Sequence, residues 1–400
     1  MGRHHEQPSD APATTTVDDI PVHRYRSYAR NIRNLLYLGG ILQEHTRPVV
    51  QSYVTGLLVI FISLSQVILI INFIRDYSDN LLILAKCLGL ASSFISPFLM
   101  MCCFLVKRDK LLELHKTLDD LLEKELARDR RTKATILASV YAFARPSYTV
   151  VIMLGSTVLA YLLPSMINAI RSASTARLKM PFPVKFPWKM PSSGSLFCLH
   201  FLYQMTVCWC MVFTIGAVDS LFGFYAFQIS SILYAMSVRL TTPRPDEVFS
   251  AVLKTCTETH HRLLQSVRLL EDIYGIILLR MIVTNAVMMC ALIFEASPFT
   301  DMTINQGCLL VCYLTLKLLQ TFIYAWYGSL ITSASEHFRE RIYFSEWPDS
   351  RLDRHVRAGV VMTMLQKPMT ITALKMSSVN VNMFTNVSVE SVRSRQLSKS

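Results

Sequence analysis

The sequence predicts an all-α polytopic membrane protein, a seven-transmembrane helical bundle with a cytoplasmic N-terminus and cytoplasmic helical extensions. Three observations carry this reading. Of 400 residues, 52% are hydrophobic and only 17% charged, at a mean hydropathy of +0.36, which is more apolar than soluble domains are. The apolar residues gather into runs near the length of about 20 residues that a helix needs to cross hydrocarbon. Lys and Arg gather in alternate connections between those runs, as they do when short basic loops stay cytoplasmic. The net charge of +12 is therefore read as topology; no basic stripe or aromatic-basic motif points to nucleic acid.

Residues 1–23 are polar and rich in Pro, Ala, Thr and Asp, which predicts a disordered tail. Between Tyr25 and Leu42, Ile32, Leu35, Leu36 and Leu38 alternate with Arg26, Arg30 and Arg33, the pattern of a basic helix lying on a membrane surface. The first span is expected at 49–74 and the second at 81–106. In the charged stretch 107–133, Leu111, Leu114, Leu118, Leu121, Leu122 and Leu126 fall mostly three or four apart, so an amphipathic helix continues the second span into water. The third span, 148–170, follows Arg145-Pro146. A loop punctuated by Pro181, Pro183, Pro187 and Pro191 comes next.

The apolar region 196–236 is too long for one crossing and too short for two, so it reads as one tall helix whose span, about 196–220, ends near Asp219. A further helix carrying Val248, Val252, Cys256, Leu263, Val267 and Leu270 leads into the fifth span, 274–296, and the sixth runs over 308–331. A short seventh span is expected at 370–389, with residues 390–400 as a polar tail. The first outer turn carries only Arg75, and the connection between the fifth and sixth spans carries no Lys or Arg. The N-terminus is thus expected inside, the reverse of a G-protein-coupled receptor. Such a receptor or a transporter is the alternative class, and the inverted topology argues against it.

Several short stretches resemble the insect odorant receptor family. They are Ala217-Val-Asp219-Ser-Leu-Phe, His260-His261-x-Leu-Leu with Leu269-Leu-Glu271, Tyr324-Ala-Trp326-Tyr-Gly328, Tyr343 with Trp347, and Gln366-Lys-Pro368. Their order and spacing are together more specific than any one of them. The resemblance implies an odorant-gated cation channel of the plasma membrane, a heterotetramer with a shared co-receptor, in which the cytoplasmic helices assemble the subunits and the last span lines the pore. It implies no cofactor and no enzymatic activity. A gustatory receptor of the same superfamily is disfavoured, because the usual Thr-Tyr and Gln-Phe ending is absent.

Depth along the spans, together with the adaptability of aromatic and Met side chains toward apolar ligands, nominates Ser93, Phe94, Ser156, Leu159, Tyr161, Tyr203, Met205, Met211 and Tyr313 as the odorant pocket. Tyr343 and Trp347 are nominated for a subunit interface, and Asn380, Met383, Phe384 and Val387 for the pore. Asp219 reads as a helix-to-helix contact or a carboxylate at interfacial water. Arg280 reads as a snorkelling cation and Lys317 as a paired or water-facing one. His260 and His261 read as a solvated helix face rather than a metal site. The cysteines lie in apolar runs and read as inert. Glu390, Arg393, Arg395 and Lys399 follow the expected seventh span, and at about 2.5–3.5 kcal/mol each near the bilayer centre they are not expected to lie in hydrocarbon.

Overall fold

A computed structural model describes residues 19–41, 49–77, 81–171, 180–189, 194–244, 247–295, 304–345, 347, 353–373 and 377–379. The architecture is the expected all-α bundle. Its helices are α1 (Asp19–Leu38), α2 (Val49–Asp76), α3 (Leu81–Val106), α4 (Arg108–Arg128), α5 (Arg130–Ala138), α6 (Val140–Arg171), α7 (Ser195–Thr241), α8 (Phe249–Glu295), α9 (Ile304–Tyr343) and α10 (Arg354–Leu365). Among the described residues, four stretches are long and apolar enough to cross a membrane: Tyr53–Asp76, Cys87–Val106, Arg130–Asn168 and Ser195–Thr241.

The 47 residues of α7 span about 70 Å at 1.5 Å per residue, roughly twice a bilayer core, so one end must stand in water. Along its first half α7 exposes Leu196, Leu199, Leu202 and Trp209, as a lipid-facing helix does. From Thr214 to Met236 it is buried on nearly every side. There it forms the axis of the molecule, packed by α1, α4, α5, α6 and α9.

Two sequence expectations are corrected near the N-terminus. The helix begins at Asp19, inside the stretch read as a disordered tail. It also does not simply rest on a membrane: Tyr28, Ile32 and Leu36 are buried, and Tyr25 and Tyr28 pack their rings against Phe224 and Phe227 of α7. Residues four apart make one apolar stripe whether the stripe meets lipid or a protein groove, which is why the pattern alone misplaced it. Gly40, at φ 71°, turns the chain after α1, and a Cβ there would meet the Thr55 methyl at 2.6 Å.

The amphipathic stripe after the second span behaves as its spacing requires. Leu111, Leu114, Leu118, Leu121 and Leu122 of α4 are buried against α7 and α8. A buried ion pair, Glu125 to Arg239 at 3.4 Å, joins α4 to the far end of α7. Burial raises the Glu125 carboxyl, opposed by the Arg239 charge. Near the start of the fifth span, Lys107 and Lys110 hold Asp272 at 2.9 and 2.7 Å and keep its carboxyl below the usual range.

The expected seventh span does not begin as a helix. Thr372-Ala373 pairs antiparallel with Ser377-Ser378 as β1 and β2, and 374–376 and 380–389 of that range lie outside the described residues. β-Branched Thr370, Ile371 and Thr372 suit extended backbone better than a helix.

Candidate functional site

At one end of the bundle, residues 180–189 fold down onto the helices. Pro181, Pro183 and Pro187 fix φ and remove backbone donors, so the loop runs extended and turns Phe182 and Phe186 inward, where both are buried. Phe182 stacks on Tyr161 of α6 at 5.0 Å and meets Phe94 of α3 edge-on at 5.4 Å, while its N–H donates to Gln204 Oε1 of α7 at 3.2 Å. The loop is fastened by the Lys185 N–H to Leu69 O and by Lys185 Nζ to Asp76 at 2.5 Å. Phe186 packs edge-on against His200 at 4.3 Å. Trp188 Nε1–H donates to His200 Nε2 at 3.1 Å, so His200 Nδ1–H is the donor to Leu196 O at 2.5 Å.

Beneath this cap the polar groups are few. Ser93 Oγ and the Tyr313 hydroxyl are 2.5 Å apart, and Ser65 Oγ lies 2.6 Å from the Tyr203 hydroxyl. Gln204 Nε2, and both amide atoms of Gln66 on α2, are buried with no hydrogen-bond partner among the described residues. A buried amide without a partner costs about 1–3 kcal/mol, and it offers a bound molecule a place to hydrogen-bond.

Of the nominated pocket residues, the structure brings Phe94 and Tyr161 together through Phe182, joins Ser93 to Tyr313, and holds Tyr203 by Ser65. Met205 and Met211 are half-buried against the core. Ser156 donates to Met153 O on its own helix, and Leu159 is 47% exposed on the outer surface of the bundle. Sequence reasoning missed Phe182 and Gln204. The run of prolines flagged the loop, but a single Gln within an apolar run carries no signal of its own.

About halfway along α7 lies a polar layer. Asp219 accepts from Gln320 Nε2 at 2.8 Å and from the Tyr324 hydroxyl at 2.6 Å, both on α9, and the Tyr274 hydroxyl donates to Val218 O at 3.1 Å. Asp219 is thus the helix-to-helix contact of its two readings. Arg280 does not snorkel: its guanidinium donates inward to Ser96 Oγ of α3. Lys317 Nζ sits 5.7 Å from the centre of the Tyr313 ring. His260 is likewise not on a solvated face; it is buried and stacked on Phe338 at 5.3 Å, whereas His261 is exposed beside Gln265.

At the opposite end, the segment after α10 crosses α8 and α9. Met369 N–H donates to Ser335 Oγ at 3.0 Å, and Thr372 donates twice to Glu271 Oε1, each at 2.8 Å. Arg339 donates to Met364 O at 2.8 Å. Tyr343 is 64% exposed, while Trp347 is half-buried against the core. Asn380, Met383, Phe384 and Val387 lie outside the described residues.

A helical membrane bundle with a cluster of packed aromatic side chains beneath a fastened loop, tied across its middle by buried polar bonds, has the build of a membrane receptor. This chain belongs to the 7tm Odorant receptor family, whose sequence profile matches residues 82–389. It is 22% identical to Odorant receptor 13a of Drosophila melanogaster over 52% of this chain and 54% of that one. It is also 24% identical to the Odorant receptor coreceptor of Anopheles gambiae over 36% of this chain and 30% of that one. The alignments thus span about half or less of these relatives. In three dimensions it resembles the insect olfactory receptor OR5 from Machilis hrabei, alone and in complex with eugenol, at TM-scores of 0.78 and 0.77 and 14% identity. Both comparisons cover 93% of this chain and 97% of the other.

Proposed function

We propose that this chain is the odorant-binding subunit of a ligand-gated cation channel. It sits in the plasma membrane with its N-terminus in the cytoplasm and assembles as a heterotetramer with the odorant receptor coreceptor. The observation that carries the reading is the pinning of Phe182 between Tyr161, Phe94 and Gln204, directly beside an amide donor that has no protein partner. Such an aromatic cluster, with one free amide donor, suits a small volatile molecule that is mostly apolar and carries one hydrogen-bond acceptor. The uneven distribution of Lys and Arg supports the orientation, and the similarity to coreceptors supports the partner.

Ligand energy reaches the pore in this account through α7 and α9. A molecule under the loop bears on α7, α7 grips α9 through Asp219, and α9 holds Met369 and Val379, which precede the expected pore residues. Only a difference in affinity between closed and open states can drive gating, so the ligand must fit this site better in one of them.

Recording currents from cells expressing this chain with a coreceptor, against the coreceptor alone, tests the proposal. Odorant-evoked current should require both chains; equal responses without this chain would overturn it. The charges at Glu390, Arg393, Arg395 and Lys399 should reduce conduction, so a version with an apolar ending is recorded in parallel and should carry the larger current.

A further inference from the structure

At the end of the bundle opposite the loop, a cavity of about 920 Å³ opens between α1, the junction of α4 and α5, and the start of α6. Its wall carries the cations Arg24, Arg128, Arg130, Lys133 and Arg145, and among the described residues its carboxylate is Asp129. That carboxylate is engaged by Arg244 at 3.6 Å. Arg24 and Arg145 both lie over the ring of Tyr141, at 4.8 and 5.0 Å, so one ring holds both guanidinium groups at this wall. Arg128 Nη1 is buried with no hydrogen-bond partner among the described residues. The nine-residue α5 begins at this wall, and its N-cap, Asp129, makes no side-chain cap hydrogen bond. Asp129 is also the C-cap of α4, so the opposed partial charges of the two helix ends offset there and the side-chain cations set the potential.

The depth of the cavity matters as much as its charge. Its lining runs along α6 from Val140 to Tyr148, about 12 Å of helix, ending where the apolar part of that helix begins. A site of this depth spans the headgroup zone of a bilayer, and basic pockets there are suited to anionic lipid headgroups.

We propose that this cavity binds the headgroup of a phospholipid bearing phosphate monoesters on its ring, a phosphoinositide, and that bound lipid clamps α1 to the junction of α5 and α6. The cluster of always-charged side chains matches phosphate groups of about −1.5 to −2 each. A singly charged phosphatidylserine offers fewer charged oxygens to these side chains. The acyl chains would leave the site beside Tyr148, along the lipid-facing side of α6, where Ile152 is 68% exposed. The assignment draws on the orientation proposed above only for the leaflet; binding in detergent does not depend on it, so the two ideas fail separately.

The test measures fluorescent dioctanoyl phosphatidylinositol 4,5-bisphosphate binding to the full chain in detergent, with dioctanoyl phosphatidylserine and free inositol trisphosphate as competitors. Saturable binding, displaced poorly by either competitor, is expected. The double substitution Arg130→Gln with Lys133→Gln should weaken it about 30-fold, while Arg262→Gln, which removes a cation paired with Asp120 elsewhere, should leave it unchanged. Equal affinity for the double variant overturns the site. Displacement by inositol trisphosphate at equal concentration overturns the lipid assignment in favour of a free polyphosphate. Should the double variant fail to fold, the wild-type competition decides: displacement by phosphatidylserine at equal concentration overturns the proposal, and Lys133→Arg should retain the full affinity.

Discussion

A Cβ placed on Gly328 would stand 2.0 Å from the carbonyl oxygen of Val379. The glycine in the middle of α9 therefore lets the backbone that follows β2 lie directly against the helix. Gly328→Ala must push that strand away, and neither partner is the free end of a flexible side chain. Overpacking of this kind costs about 1–3 kcal/mol. The variant should melt several degrees lower in detergent and lose odorant-evoked current; an unchanged melting temperature would show that the strand moves freely.

Asp219 joins α7 to α9 through two short hydrogen bonds. Asp219→Ala would leave the Gln320 amide and the Tyr324 hydroxyl buried without their acceptor, at about 1–3 kcal/mol for each group. Asp219→Asn keeps an acceptor and should cost less. Thermal melts of both variants should rank wild type above Asn above Ala; equal loss from both would mean that the carboxylate charge, not the hydrogen bonds, holds the helices.

His260 should make the helical extension sensitive to acid. Burial pushes its pKa down to about 4, with His261 and Arg339 adding repulsion. The folded state thus favours the neutral ring, so no penalty exists above the unfolded value of about 6.5. Stability is lost as pH falls from there toward 4, by up to about 3 kcal/mol. His260→Leu should flatten this part of the stability profile between pH 7 and 4. A profile that keeps the wild-type slope would assign the acid sensitivity to other groups.

Tyr343, Phe344, Met362 and Leu365 are 64%, 71%, 66% and 75% exposed on the end of α9 and on α10. The apolar stripes of α4 and α8 are already covered within the chain, which leaves these side chains as the assembly surface under the proposed function. Phe344→Ser combined with Leu365→Ser should reduce capture of the coreceptor by about tenfold. Trp347, half-buried in its own subunit, should affect folding more than capture. Full capture by the double variant would place the interface elsewhere.

The apolar helices and the tall α7 were legible because apolar length and period register directly in sequence. The partners of each stripe were not. The spacing of Tyr28, Ile32 and Leu36 is the same whether it meets lipid or α7, and His260 sits in a polar context that gave no warning of Phe338 above it. The start of the seventh span was misread because Thr370 to Ala373 is apolar enough for a helix, while its pairing with Ser377-Ser378 depends on a groove that only α8 and α9 supply. At the proposed ligand site, depth nominated Phe94 and Tyr161, yet the residue joining them, Phe182, came from a loop.

The central claim is that the ligand lies beneath Phe182 and reaches the Gln204 amide. It is tested by odorant concentration–response curves from cells expressing a coreceptor with either wild-type chain or Gln204→Leu, each in the version with the apolar ending. The account predicts that ligands bearing a hydrogen-bond acceptor lose about 5- to 100-fold more potency than purely apolar ligands do, since both share the loss of the acceptor for the Phe182 N–H. The same change in potency for every ligand, or none, would contradict it.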